Sequence, residues 1–151
     1  MHQIQPAQLA NWLEASKADS DQAAQAGADP APEAASDQAD IGFHAPGAHE
    51  HTPADARHAP VKRPLVLDVR EDWEVQIGQI HGSLHIPMQT IPARLRELVD
   101  ADQPIVCYCH HGMRSMQVAM FLEHRGAREV YNLVGGIDAW ARLVDPACAR
   151  Y

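Results

Sequence analysis

A chain of 151 residues with a formal net charge of −8 has the length of one domain, and its three cysteines, Cys107, Cys109 and Cys148, are too few and too poorly spaced for a disulfide framework. No basic stripe is present, which argues against nucleic acid as a partner, and no apolar run nears the roughly 18 residues that a membrane span needs. Free thiols, and an opening without a basic start and apolar centre, lead us to expect a cytoplasmic protein free of membrane.

The first element is a short extended piece followed by a helix within residues 2 to 16. Pro6 suits a first helical turn, and Leu9, Trp12 and Leu13 recur at the spacing of one apolar helix face. Trp12 and Trp140 read as packing residues with no ligand role.

From about 17 to 63 the periodicity dissolves into Ala, Asp, Gln, Pro and His, with Ile41 and Phe43 almost the only large apolar residues. Such a segment cannot bury enough surface to offset chain entropy, so it is expected to be a disordered insertion, although ASKADSDQAAQA can extend the first helix. It also holds the acidity: residues 14 to 60 carry nine acids against Lys17 and Arg57, leaving the rest of the chain near neutral. His44, His49, His51 and His58 lie in it without a cysteine or tight carboxylate set, so no metal site is expected.

The remainder alternates in a βα rhythm. Strands are expected at 64–69, 104–108 and 129–133, with a short extended piece at 83–87. Helices are expected at 71–77, at 91–99 with Ile91, Leu95, Leu98 and Val99 on one face, at 114–125 with Val118, Met120, Phe121 and Leu122 for packing, and at 136–144. Gly126 is placed to stop the third of these. Uninterrupted apolar strands between helices imply an α/β domain with a parallel sheet covered on both faces. The expected organisation is one domain over 1–146, interrupted at about 17–63, with a tail at 147–151.

The chemistry concentrates in CYCHHGMRS, residues 107 to 115. Parallel sheets bind ligands beyond the carboxyl ends of their strands, and Cys109 stands at such an end before a helix. The unpaired amides and partial positive charge of that helix start favour a thiolate. Gly112 lets successive N–H groups converge, and Arg114 adds a forked cation. Cys107 lies inside the apolar run and reads as core; Cys148 reads as incidental. His110 and His111 can titrate near neutral pH, but their backbone is the more economical contribution. Asp68 is expected to shape the site by accepting bonds from the loop amides, and Arg70 by pairing with an acid such as Glu74.

These residues resemble the rhodanese-like sulfurtransferase domain. CHHGMRS is similar to that family's C-x-x-G-x-R-S loop, and Leu67-Asp68-Val69-Arg70-Glu71 with Glu74 to its LDVRE-x-x-E opening. Residues 78 to 87, GQIHGSLHIP, are similar to its G-H-I-x-G-A-x-x-I-P stretch, and Gly135 to Trp140 to its closing GG-x-x-A-W. Gln79 stands where the family often has His, and His81 where proline is common. The resemblance covers about 64 to 143, and QIQPAQLANWL also resembles the family's first strand and helix.

The resemblance implies a five-stranded parallel sheet with helices on both faces. It implies that Cys109 takes a sulfane sulfur from a small anionic donor such as thiosulfate, holds it as a persulfide, and gives it to a thiol or protein acceptor, with no cofactor. The amides of His110, His111, Gly112, Met113 and Arg114, with the Arg114 side chain and Ser115 at the helix start, would then bind the donor. Two rivals stay open. A cysteine phosphatase or arsenate reductase uses C-x5-R, whereas here Arg114 gives C-x4-R, a smaller loop suited to sulfur. A noncatalytic binding module of the same shape is the other.

Overall fold

The structure, a computed structural model, describes residues 1–25 and 62–151, and of 19–25 only the backbone. The strands are β1 (His2–Ile4), β2 (Leu65–Asp68), β3 (Leu84–His85), β4 (Ile105–Tyr108) and β5 (Val130–Leu133). They form one sheet in the order β1-β5-β4-β2-β3, every pairing parallel. The central strand is β4, which places Cys109 just past the carboxyl end of the middle of the sheet.

Helices α1 (Pro6–Gln25) and α5 (Gly136–Leu143) pack together on one face. On the other lie α3 (Leu95–Val99), α4 (Met113–His124) and a 3₁₀ segment, Met88–Arg94. A short helix, α2 (Asp72–Ile77), follows β2. Strand side chains alternate between faces. Thus Ile105, Cys107 and Cys109 join the core beneath α4 with Leu67, Val118 and Leu122. Val106 and Tyr108 join the core beneath α1 and α5 with Ile4, Leu9, Leu133 and Trp140.

Helix α1 runs to Gln25, extended by the alanine-rich stretch as the sequence reading allowed. Two points differ from that reading. The expected helix 91–99 begins instead as the 3₁₀ segment from Met88, which contains Pro92, and becomes α-helical only at Leu95. Proline lacks the N–H that an α-helical turn would use there. Met120, expected to pack, is exposed at 47%, while Val118 and Leu122 of the same helix are buried. Residues 26–61, with the four histidines, lie outside the described residues. No helix among the described residues is long and apolar enough to cross a membrane.

Candidate active site

The loop after β4 is shaped from below by the start of α5. The amide of Ile137 donates to the Cys109 carbonyl at 2.9 Å, and that of Asp138 to the His110 carbonyl at 3.2 Å. Gly136, at φ +58°, lies so close to these carbonyls that any Cβ would collide with them. With both carbonyls held against α5, the peptide planes of the loop are fixed. Gly112, at φ +98°, then turns the chain into α4. A side chain there would meet the Leu133 carbonyl at 3.2 Å as well as the left-handed backbone penalty. The paired glycines before α5 and the glycine of the cysteine loop are therefore one device, seen from two elements.

The result is a hydrogen bond from the Gly112 amide to the Cys109 Sγ at 3.1 Å. Ser115, buried in the first turn of α4, places its Oγ 3.4 Å from the same sulfur and donates to the Asn132 Oδ1 at 2.7 Å. The Asn132 amide donates in turn to Gln3 at 3.1 Å. A hydroxyl has a single proton, so Ser115 gives it to Asn132 here and can rotate it towards a thiolate. Cys109 is only 2% exposed. Cys107, on the same face, is wholly buried and its thiol is pushed up by desolvation.

Two arginine–carboxylate pairs lie at the same end of the sheet, and both differ from the sequence reading. Asp68 is paired in register with Tyr108 and shares its face, away from the Cys109 side. It accepts from the Tyr108 hydroxyl at 2.7 Å, from the Arg70 amide at 3.1 Å and from the Arg70 guanidinium at 2.6 to 3.1 Å, not from the amides of the cysteine loop. Arg70, buried completely, therefore finds its acid in Asp68; from Glu74 it takes only the backbone carbonyl, at 3.3 Å.

The Glu74 carboxylate instead receives both terminal nitrogens of Arg114, each at 2.7 Å. Burial would raise this carboxyl, but the bonds from Arg114, from the Glu71 amide and from the Tyr151 hydroxyl bring it down to about 2. Arg114 thus ties α4 to α2 and keeps three of its five N–H groups for other partners. Because each of these arginines is matched by an acid, the side-chain charge nearly cancels. Attraction for an anion falls to the loop amides and the helix terminus.

His110 and His111 stack on each other, ring centroids 3.9 Å apart. Burial, then the neighbouring His111, lowers the His110 imidazole below its ordinary range and keeps it neutral. Together with Asp138 they form the one group among the described residues whose ligand atoms fall within 4.8 Å of one another. Asp138 is already paired with Arg142 at 3.0 Å and Arg150 at 3.1 Å. Met113 projects outward at 65% exposure.

The profile of the family described as "Rhodanese-like domain" matches residues 52–143. The chain belongs to the rhodanese-like domain family. Among its rhodanese-like relatives, the thiosulfate sulfurtransferase GlpE of Haemophilus influenzae is 31% identical over 68% of this chain and 96% of that protein. A sulfurtransferase of Allochromatium vinosum is 41% identical over 57% of this chain and 79% of that one. Of solved structures, a Staphylococcus saprophyticus protein is 31% identical with a TM-score of 0.50, covering 67% of this chain and 91% of its own.

Sequence reasoning singled out Cys109, the loop 110–115, Asp68 and Arg70, and all of these lie at or beside one end of the sheet. It did not place Asn132 or Tyr151 in the site, and it paired Glu74 with Arg70 instead of Arg114. Asn132 holds Ser115, Glu74 holds Arg114, and Tyr151, assigned to a tail, reaches Glu74 and His110. Glu74 was quoted as part of a motif, so it carried a signal; nothing local marked Tyr151.

Proposed function

We propose that the protein is a sulfurtransferase that works through a persulfide on Cys109. The Cys109 thiolate attacks the sulfane sulfur of a small anionic donor such as thiosulfate. The new bond joins Sγ to that sulfur, and sulfite leaves with the electron pair of the donor's S–S bond. A thiol or protein acceptor, or cyanide in an assay, then attacks the outer sulfur and Cys109 leaves as thiolate. No proton donor is needed at the sulfur in either transfer, which fits a neutral His110 and leaves His110, His111 and Met113 to contribute their amides. Those amides, with Gly112, Arg114 and the Ser115 hydroxyl, stabilise the anion during transfer. No cofactor enters the scheme, and a cytoplasmic setting suits the free thiol.

The observation that carries this reading is the Gly112 N–H on the Cys109 sulfur at 3.1 Å, in a loop four residues long between cysteine and arginine. The two named sulfurtransferase relatives support it. A binding module without transfer is the second reading, favoured by the 2% exposure of Cys109. Thiosulfate:cyanide transfer separates them. The wild type should turn over with ping-pong kinetics and Cys109→Ser should not. Equal rates in both proteins, or none in the wild type with any sulfane donor, would leave the binding module.

A further inference from the structure

The segment after α5 does not trail away. It turns at Asp145, where the Cys148 amide donates back to the Asp145 carbonyl at 3.0 Å. Arg150 is fastened to Asp138 at 3.1 Å. The segment then delivers Tyr151 to the active-site loop.

The Tyr151 ring stacks on His110 with centroids 4.2 Å apart, and meets Trp73 edge-on at 5.9 Å. Its hydroxyl accepts from the Arg70 Nη1 at 2.8 Å and donates to the Glu74 Oε1 at 2.8 Å. Glu74 is the same carboxylate that holds Arg114. One side chain from the far end of the chain thus grips the residue after the nucleophile and both arginine–carboxylate pairs, although it remains 36% exposed itself. Burial, with the Glu74 hydrogen bond, raises its phenol to about 12, so it stays a neutral donor.

We propose that Tyr151 is a specificity-determining residue of this site for the donor: its ring, laid on His110 and tethered to Arg70 and Glu74, narrows the way to the Cys109 Sγ so that small anionic donors reach it and bulky thiol persulfides do not, whereas an acceptor has to reach only the outer sulfur of the persulfide, one S–S bond beyond Sγ. The inference rests on the sulfur-transfer reading for its biological meaning, but the obstruction is a property of the thiol's surroundings alone. A rigid aromatic ring fixed by two hydrogen bonds and two ring contacts loses little by staying in place and costs several contacts to move. A thiosulfate-sized ion needs less displacement than a peptide-like thiol.

The experiment compares alkylation of Cys109 by a small reagent, iodoacetamide, with alkylation by a maleimide on a polyethylene glycol chain, both quantified at the Cys109 peptide by mass spectrometry. In Tyr151→Ala the rate with the bulky reagent should rise about tenfold relative to the small one, and Tyr151→Phe, which keeps the ring, should fall nearer the wild type. The small-reagent rate reports that the loop is intact. A wild-type ratio in Tyr151→Ala, or equal acceleration of both reagents, would overturn the proposal. In parallel, the kcat/KM of glutathione persulfide relative to thiosulfate should rise by about the same factor in Tyr151→Ala. If the wild type transfers no sulfur at all, the functional reading fails while the alkylation result still decides the obstruction.

Discussion

Cys107 and Cys109 are two residues apart, point to the same face and belong to the same core, yet only one has a polar hydrogen on its sulfur. Cys107 lies in β4, flanked in register by Leu67 and Asn132, where strand pairing occupies the backbone donors. Cys109 lies just beyond the last residue of β4, where the ladder has ended and the next amides are free to turn. The difference is one of backbone more than of side chain. A thiol inside a parallel sheet is a small apolar filler; the same thiol one step past the end faces unpaired N–H groups.

The sharpest way to break the comparison is to replace each cysteine by serine. Cys109→Ser should reduce thiosulfate:cyanide transfer to background. Cys107→Ser should retain transfer and instead cost roughly 1–3 kcal/mol in urea unfolding, because it buries a hydroxyl in an apolar site. Loss of transfer in a folded Cys107→Ser protein would mean that both thiols take part.

Next comes the charged rim. The Glu74 carboxyl is held at about 2 rather than the ordinary 4.5, so its contribution to stability is complete above pH 4.5 and is lost as pH falls towards 2. That contribution is on the order of 3 kcal/mol. Glu74→Gln should lower stability at pH 7 by a similar amount and flatten the acid limb of a stability–pH curve. An unchanged acid limb would show that Arg114 holds no such pair in solution.

Gly112→Ala probes the turn that makes the two cysteines different. With φ at +98° and the Leu133 carbonyl 3.2 Å from a Cβ, it should cost about 1–2 kcal/mol and lower kcat more than it raises KM for thiosulfate. A variant with wild-type kinetics would remove the Gly112 amide from the account. The smallest effect belongs to Ser115→Ala, which takes a donor from Asn132 and a potential donor from the sulfur. About 1 kcal/mol of stability and a several-fold loss in kcat are expected, measured by urea unfolding and the same transfer assay.

The sheet and the nucleophile were legible for a common reason: each is written in neighbouring residues. Apolar runs such as Pro64–Val69 and Pro104–Tyr108 mark strands, and CHHGMRS carries its own turn. What was not legible depends on where distant segments meet. Asp68 faces Tyr108 rather than the loop because of strand parity and register, and that choice passes Arg70 to Asp68 and Glu74 to Arg114. Pro92 gave a local warning against a regular helix, yet the 3₁₀ form of Met88–Arg94 was not drawn from it. Tyr151 docks 77 residues from Glu74 in sequence, a contact no periodicity encodes.

The most direct measurement is the intact mass of the protein after incubation with thiosulfate and removal of excess donor, followed by peptide mapping. The account predicts a gain of one sulfur atom, located on Cys109, reversed by cyanide and absent in Cys109→Ser. A sulfur found on Cys148, or a gain that persists in Cys109→Ser, would contradict it.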